Sequence, residues 1–207
     1  MKSILWVVDV QNDFMLPNGK LYVKDAEKVI PNIQKAIEWA KKNDMPIFYS
    51  ADYHYKDSKE LSKTPDFVST FPEHCMSFDK GWELIDQIKP KNQVNLTWTD
   101  KYDDDELEHL ANSMDGVVIL KDEFDVFTGN RNTDRFVEII NPDVVYVCGV
   151  VSEICVAQAV NGFLNRSVNV ILVDDAIKYL SIDKYTDELS KWNTIDSFST
   201  LETSRLF

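Results

Sequence analysis

The sequence predicts an α/β protein, a three-layer α/β/α sandwich in which a mostly parallel, doubly wound sheet lies between two layers of helices. Two observations predict this class. Short apolar runs rich in β-branched residues recur along the 207-residue chain, and helical patterns separate most of them. The runs are almost continuously apolar, as expected for strands covered on both faces. Because this length fits one domain with a substantial core, we expect residues 1–207 to form a single domain.

Five strands and five helices are predicted. The strands are Ile4–Val8, Ile47–Tyr49, Val117–Leu120, Val144–Val147 and Val168–Val173. The helices are Ala26–Asn43, Asp103–Ser113, Asp134–Ile140, Ser152–Arg166 and Asp183–Phe198. Because consecutive parallel strands need crossover connections, this order places helices on both faces of the sheet.

One segment departs from the alternation of strand and helix. Residues 52–81 show weak periodicity and are rich in Lys, Asp, Ser and Pro. Loops of this length in compact domains are usually functional or disordered. The segment is therefore a candidate for a binding role.

Composition and charge exclude some classes of partner. The net charge of −13 argues against a nucleic-acid surface, which needs clustered Lys and Arg. The apolar run at the N-terminus is too short for a membrane span and lacks a signal-peptide cleavage pattern, so no membrane partner is expected. Three cysteines without disulfide or zinc-ribbon spacing favour a reducing, cytoplasmic compartment. The oligomeric state stays open.

Cys155 occupies a position that is typical of a reactive cysteine. It follows the predicted strand Val144–Val147 and lies in the first turn of a helix that Ser152 would cap. Backbone N–H groups and the helix dipole favour a thiolate there, at the sheet edge where open α/β proteins place their active sites. The alternative is a thiol that packs as a small hydrophobic side chain, which is our interpretation of Cys75 and Cys148.

Two charged residues follow other predicted strands at the same edge. Asp9 comes directly after Ile4–Val8, and Lys121 comes directly after Val117–Leu120. Taken alone, Asp9 is also explained as a capping or turn residue, and Lys121 as the first solvated residue of a loop. Together with Cys155, however, an acid and a cation supply a nucleophile with its base and its electrostatic activator.

The long loop carries a second group of polar side chains. Asp52 and His54 are two residues apart, which puts both side chains on one face of an extended segment, and His74 follows later. Asp and His form a common ligand set for zinc, iron or manganese, and Asp57 or Glu60 could supply a further oxygen. The alternative is a solvated loop in which the histidines make ordinary hydrogen bonds.

Five segments, in order, resemble the landmarks of the isochorismatase-like cysteine hydrolases. They are VVDVQNDF with Asp9, SADYH with Asp52 and His54, TPDFVSTFPEHC with His74, VILKDEFDVFTGN with Lys121, and VCGVVSEICV with Cys155. The resemblance covers most of the chain, and within the family it is greatest to the nicotinamidases (pyrazinamidases). It implies the isochorismatase-like α/β/α fold.

A catalytic triad of Asp9, Lys121 and Cys155 is implied by this resemblance. The family also has a non-proline cis peptide bond, which corresponds here to Val150–Val151. The backbone N–H groups of Val151 and Cys155 would then form an oxyanion hole for the tetrahedral intermediate.

The resemblance further implies a metal site in the loop 52–81. The family's ligands correspond to Asp52, His54 and His74, and nicotinamidases have another ligand, often His, at a place that here holds Glu60. A carboxylate there still binds a divalent metal, but it could change affinity or metal preference. Zinc is the expected metal, with iron or manganese as alternatives. Most relatives with other substrates lack this site, so its presence points to nicotinamide.

The implied activity is hydrolysis of nicotinamide, and also of pyrazinamide, to the acid and ammonia through a thioester on Cys155. The metal would bind the pyridine nitrogen and orient the ring. Phe14 and Phe71 are placed to line the ring pocket, or alternatively to pack as plain core. Departures from the family at Tyr55 and Ser77–Phe78 leave substrate preference more open than reaction type. The alternatives are another amide, carbamoyl or vinyl-ether substrate, and a non-catalytic metal-binding or interaction module.

Overall fold

The computed structural model describes residues 1–113 and 116–207. One seven-stranded sheet runs through it, and every pair of neighbouring strands is parallel. The strands are β1 (Ser3–Val8), β2 (Ile47–Asp52), β3 (Gln93–Leu96), β4 (Gly116–Lys121), β5 (Val144–Val150), β6 (Asn169–Lys178) and β7 (Phe198–Leu201), in the spatial order β3-β4-β2-β1-β5-β6-β7. The predicted α/β class with a doubly wound parallel sheet is confirmed.

Helices connect the strands. They are α1 (Asn12–Met15), α2 (Ile30–Lys42), α3 (Asp104–Asn112), α4 (Val126–Gly129), α5 (Thr133–Ile140), α6 (Cys155–Asn165) and α7 (Ile182–Trp192), with short 3-10 helices at Ala26–Val29 and Thr203–Arg205. None of the helices in the described ranges is long and apolar enough to cross a membrane.

The five predicted strands are confirmed, whereas the boundaries of three predicted helices were wrong. The segment predicted as one helix over Ala26–Asn43 forms a 3-10 helix at Ala26–Val29, and α2 begins at Ile30. The helix predicted from Ser152 begins at Cys155, and the Ser152 side chain does not cap it. The helix predicted over Asp183–Phe198 ends at Trp192, and Phe198 instead begins the edge strand β7. Both edge strands, β3 and β7, were missed.

The sheet separates two apolar cores. In the central strand β1, Ile4, Trp6 and Val8 contribute to one core, while Leu5 and Val7 contribute to the other. Both faces are therefore buried, which explains why this strand reads as a continuous apolar run. Helices α3 to α7 pack on the first face, and α2 packs on the second.

The strands β1 and β5 are neighbours at the centre of the sheet. From these neighbours the chain proceeds outward in opposite directions, and the connecting helices α2 and α6 pack on opposite faces. Where two neighbouring parallel strands lead to helices on opposite faces, a crevice forms at the carboxyl ends of those strands. Asp9 directly follows β1, and Cys155 opens α6 shortly after β5, so both reach this crevice.

Gly149 keeps β1 and β5 in close contact beside Asp9. It has φ 123°, and a Cβ there would lie 2.0 Å from the carbonyl oxygen of Val8. We therefore expect Gly149→Ala to lower the free energy of unfolding by about 3 kcal/mol, the upper end of the usual cost of overpacking. Urea unfolding measures this. A loss below about 1 kcal/mol would mean that the two central strands separate locally at little cost.

The loop predicted at residues 52–81 extends to residue 92. Between β2 and β3 the chain forms turns and isolated bridges rather than helices or strands. Three of these bridges fold the loop: His54 pairs with Met76, Leu61 with Phe71, and Leu84 with Gln11. The loop is thus folded back on itself over the carboxyl end of the sheet.

Candidate active site

The structure brings Asp9, Lys121 and Cys155 together, as the sequence predicted. The Nζ atom of Lys121 lies 3.0 Å from Oδ2 of Asp9 and 3.7 Å from Sγ of Cys155. A carboxylate oxygen of Asp9 and the Cys155 sulfur are within 4.8 Å of each other. All three side chains are buried. An acid, an ammonium group and a thiol therefore share one site shielded from water.

Asp9 is held in place from two sides. It adopts a left-handed backbone conformation, with φ 50°, just beyond the end of β1, and Ser50 donates a hydrogen bond of 2.8 Å to its Oδ1. Burial, reinforced by the nearby charge of Asp52, raises the pKa of Asp9, although Lys121 acts in the opposite direction. A carboxylate with a raised pKa is a better proton acceptor than an ordinary aspartate.

Lys121 pairs with two buried acids rather than one. Its ammonium group also contacts Oδ1 of Asp52, in addition to Asp9. Burial alone would lower the pKa of Lys121, but Asp52 and Asp9 outweigh this and raise it well above its ordinary value. Lys121 is therefore cationic throughout the physiological range.

The pKa of Cys155 differs in direction from the sequence expectation. The helix does begin at Cys155, and Lys121 does favour the thiolate. Burial dominates, however, and together with the charges of Asp9 and Asp52 it raises the pKa of the thiol well above its ordinary value. The resting site therefore holds a thiol beside a carboxylate, and the nucleophile must lose its proton during the reaction.

Two backbone N–H groups near the sulfur have no acceptor. The peptide bond between Val150 and Val151 is cis, as expected from the resemblance. Within the described residues, the N–H groups of Val151 and Cys155 donate no hydrogen bond, while the Val151 carbonyl accepts from Ile154 and Val156. Both N–H groups are thus free to bind an oxygen atom of a substrate.

Asp52, His54 and His74 form a compact cluster beside the triad. Nε2 of His54 lies 3.9 Å from Oδ2 of Asp52, and Nε2 of His74 lies 3.8 Å from the same oxygen. All three are buried, and Nε2 of His54 has no hydrogen-bond partner. Zinc–ligand bonds of about 2.0–2.2 Å hold neighbouring ligand atoms roughly 3.3–3.6 Å apart, so the cluster fits a divalent metal after a small contraction.

Asp52 belongs to both groups of residues. Its Oδ1 contacts Lys121, and its Oδ2 faces the two histidines. Burial alone would raise the pKa of Asp52, but Lys121 and the two neighbouring histidines hold it well below its usual range. The carboxylate is therefore ionised, as a metal ligand must be.

Two residues that sequence reasoning did not single out hold the loop in place. Gln11 is buried and binds the backbone of Asp52 on both sides: its Oε1 accepts from the N–H, and its Nε2 donates to the carbonyl, each at 2.8 Å. Asp13 accepts a hydrogen bond of 2.7 Å from the N–H of Cys75, next to His74. Both belong to the segment VVDVQNDF, where a buried polar residue in a short turn was the available signal.

Asp122 was also missed. Its Oδ1 lies 3.0 Å from Nδ1 of His54 and accepts a hydrogen bond from Ser58. Nδ1 of His74 instead faces the carbonyl oxygen of Pro72 at 2.7 Å. Burial alone would lower the pKa of His54, but the carboxylates of Asp122 and Asp52 raise it to about 9.

Glu60 and Asp57, the further oxygen donors considered from sequence, differ in placement. Asp57 is exposed. Glu60 is buried, and its Oε1 accepts a hydrogen bond of 2.6 Å from the N–H of Phe124, while Oε2 has no partner. Burial and the charge of Asp52 raise the pKa of Glu60 to about 8. Its oxygens lie outside the compact cluster of Asp52, His54 and His74.

A small cavity of about 50 Å³ connects the thiol to the cluster. It is lined mainly by apolar side chains, and Phe14 and Phe71 are among them, as expected. Phe14 packs 5.4 Å from the ring of His74, and Phe71 packs 5.8 Å from the ring of Phe124. Cys155, Asp52 and His74 also line it. A larger polar groove of about 870 Å³ lies elsewhere, around Asp134 and Arg166, and contains none of these groups.

The chain is similar to known proteins over most of its length. The isochorismatase domain model matches residues 3–204. The nicotinamidase of Saccharomyces cerevisiae is 28% identical, over 75% of this chain and 78% of the yeast protein. The crystal structure of N-carbamoylsarcosine amidase from Thermoplasma acidophilum is 25% identical with a TM-score of 0.75, over 99% of this chain and 98% of that one. The crystal structure of pyrazinamidase of Pyrococcus horikoshii in complex with zinc is 23% identical with a TM-score of 0.74. The match covers 98% of this chain and 99% of that one.

Proposed function

Because the chain belongs to the isochorismatase domain family, we propose that this isochorismatase-like hydrolase is a cysteine-dependent amidohydrolase that converts nicotinamide to nicotinate and ammonia. The observation that carries the proposal is one cavity lined by both the Cys155 thiol and the Asp52–His74 edge of the candidate metal cluster. The similarity to yeast nicotinamidase supports the choice of substrate. Pyrazinamide, which has the same carboxamide on a similar ring, is a second expected substrate.

The first half of the proposed reaction transfers the acyl group to sulfur. Asp9 takes the proton from the Cys155 thiol as the sulfur attacks the carboxamide carbon. The N–H groups of Val151 and Cys155 bind the oxygen that becomes negative, and Lys121 stabilises negative charge on the sulfur and on Asp9. Protonated Asp9 then gives its proton to the departing nitrogen, so that ammonia leaves and a thioester remains.

The second half returns the enzyme to its resting state. Asp9, again a carboxylate, takes a proton from a water molecule that attacks the thioester carbon. The tetrahedral intermediate collapses, nicotinate leaves, and the Cys155 sulfur recovers a proton from Asp9. Burial raises the pKa of Asp9, which makes it a better proton acceptor for the thiol than an ordinary aspartate.

Asp52, His54 and His74 would hold a divalent metal, with Glu60 as a fourth candidate ligand. When bound, such a cation supplies a Lewis acid for the ring nitrogen of the substrate, and zinc, which the similar Pyrococcus horikoshii protein binds, is the first candidate. The buried, unpartnered Nε2 of His54 and the ionised Asp52 support this assignment. Iron or manganese also suits the donor set.

The cavity favours a neutral aromatic amide over an anionic one. Its described lining contains three phenylalanine side chains but no Lys or Arg. A substrate carboxylate would therefore find no Lys or Arg among these lining side chains, whereas an aromatic ring would pack against the phenylalanines. N-carbamoylsarcosine carries such a carboxylate, whereas nicotinamide and pyrazinamide do not. Phe14 and Phe71 would bind the ring between them.

Ammonia release from purified protein tests the proposal. We expect turnover of nicotinamide and pyrazinamide, a loss of activity after chelation, and recovery when zinc, manganese or iron is added back. N-carbamoylsarcosine should be a poor substrate under the same conditions. Activity on nicotinamide that is indifferent to chelation would remove the metal from the scheme, whereas hydrolysis of N-carbamoylsarcosine alone would replace the substrate but keep the thiol chemistry.

A further inference from the structure

The two histidines of the candidate metal cluster are oriented by different groups. His74 faces a neutral backbone carbonyl with its Nδ1, whereas His54 faces the carboxylate of Asp122. Carboxylate partners orient metal-binding histidines more strongly than neutral ones, because a charged acceptor makes a stronger hydrogen bond. Asp122 has no other assignment in the proposed reaction.

We propose that Asp122 is a positioning residue for the metal site: its carboxylate accepts the Nδ1–H of His54 and thereby aims Nε2 of His54 at the site beside Asp52. This inference rests on the proposed metal-dependent function and adds a residue to it. The geometry supports it directly, because Nε2 of His54 is buried, points toward Oδ2 of Asp52 and has no hydrogen-bond partner.

Asp122 is itself held rigidly. It directly follows β4, where the Lys121 carbonyl accepts a hydrogen bond of 2.9 Å from the N–H of Tyr53, and its own N–H donates to Gly129 at 3.2 Å. These bonds tie the end of β4 to the start of the loop that carries His54. The Asp122 carboxylate is therefore fixed relative to the imidazole before any metal binds.

Ser58 completes the arrangement. Its hydroxyl donates to the same Oδ1 of Asp122 that faces His54, and it accepts a hydrogen bond of 2.9 Å from the N–H of Tyr55. Ser58 is buried. A chain of hydrogen bonds thus runs from the loop backbone through Ser58 and Asp122 to the imidazole of His54, which limits rotation of both side chains.

Affinity for zinc tests the proposal without reference to turnover. Asp122→Asn keeps the size of the side chain and an oxygen acceptor but removes the charge, and we expect it to weaken zinc binding by about 10- to 100-fold. Competition with a chromophoric chelator measures the dissociation constant, and the thermal midpoint of the metal-free protein reports on folding. Ser58→Ala removes one hydrogen bond to the Asp122 carboxylate. It should also raise the zinc dissociation constant, but by a smaller factor.

Glu123→Gln is the matched control. It removes the same charge one residue away, from a partly exposed side chain that pairs with Lys59 and does not contact His54. It should leave zinc affinity unchanged. At saturating zinc, the Asp122→Asn variant should recover the kcat of the parent protein, since only occupancy of the site has changed.

The outcomes separate the two proposals. Tight zinc binding by the parent and equal binding by Asp122→Asn and Ser58→Ala would overturn the role of Asp122 and leave the metal site standing. Equal weakening by Glu123→Gln would also overturn it, because general charge would then explain the effect. A parent protein that binds no zinc, manganese or iron would overturn the metal site itself, and this inference with it.

Discussion

Replacing Cys155 with alanine is expected to abolish amide hydrolysis and to leave the fold intact. Among the described residues that line the cavity, Cys155 is the one with a thiol, and its sulfur faces Lys121 and Asp9. Without the nucleophile neither half of the reaction can occur. We expect kcat to fall by at least about 10⁴-fold, as when nucleophiles are removed from other hydrolases. That factor corresponds to about 5.4 kcal/mol of transition-state stabilisation.

Cys148→Ala provides the comparison. Cys148 is buried in β5, burial raises its pKa to about 12, and it is not among the residues that line the cavity. We expect this variant to keep near-parental kcat. Acid quenching of the parent during turnover, followed by intact-protein mass spectrometry, should show an acyl adduct that maps to Cys155. Hydrolysis by Cys155→Ala at more than about one-hundredth of the parental rate would contradict the covalent scheme.

The central strands could be read from the sequence, and the edge strands could not. β1, β4 and β5 are buried on both faces, so their sequences are almost entirely apolar and leave a clear pattern. The edge strands β3 and β7 are short, with the sequences QVNL and FSTL, and are half-exposed. Their pairing with a neighbour determines them, rather than any local pattern.

The candidate site was predictable where it depends on strand ends and less so where it depends on the loop. Asp9 and Lys121 leave strands directly, so the parallel sheet fixes where they meet. His54 and His74 approach Asp52 because the loop folds back and His54 forms a bridge with Met76. The two-residue spacing anticipated that Asp52 and His54 share a face, and the ligand set of Asp and His, together with the family resemblance, anticipated His74 beside them. Asp122 was overlooked because an acid after a strand reads equally well as a solvated turn residue.

The state of the thiol was predicted in the wrong direction for a physical reason. Sequence reasoning counted the helix N-terminus and Lys121, which both favour a thiolate. It did not count complete burial or the two carboxylates of Asp9 and Asp52, which raise the pKa of Cys155. These depend on packing depth and on long-range contacts, neither of which a sequence pattern reports. The corrected state makes Asp9 necessary as the base.

Replacing Lys121 with methionine is expected to be the most destabilising change in the site. The ammonium group lies between two fully buried acids, Asp9 and Asp52, and lowers the pKa of both. Methionine fills much of the same volume but leaves those carboxylates without their partner. Removing one member of a buried ion pair costs about 3–5 kcal/mol, and we expect a loss of this size near neutral pH. Urea unfolding in the presence of chelator measures it, because a bound cation at Asp52 would replace part of the missing charge.

The pH dependence of this loss identifies its cause. Without Lys121, burial raises the folded-state pKa of Asp9 and Asp52 above the unfolded value of about 3.9. At pH values between the unfolded pKa and the raised folded-state pKa, the folded variant binds more protons than the unfolded chain. The stability of the variant therefore falls as the pH rises through this range. In the parent, the pKa of Asp52 is depressed, so the ionised Asp52 stabilises the folded state above the unfolded pKa. That contribution to stability is lost only as the pH falls. The difference between parent and variant should therefore be larger at about pH 8 than at about pH 5.

Two further variants distinguish charge from packing. Lys59→Met removes an exposed lysine that pairs with Glu123, and such surface pairs contribute about 0–1 kcal/mol, so its stability should be close to that of the parent. Adding Asp52→Asn to Lys121→Met removes one of the stranded charges and should recover part of the lost stability at about pH 8. If the Lys121→Met deficit were the same at both pH values and Asp52→Asn did not reduce it, lost packing rather than unpaired charge would explain the effect. The ion pairing of Lys121 with Asp9 and Asp52 would then have no net effect on stability.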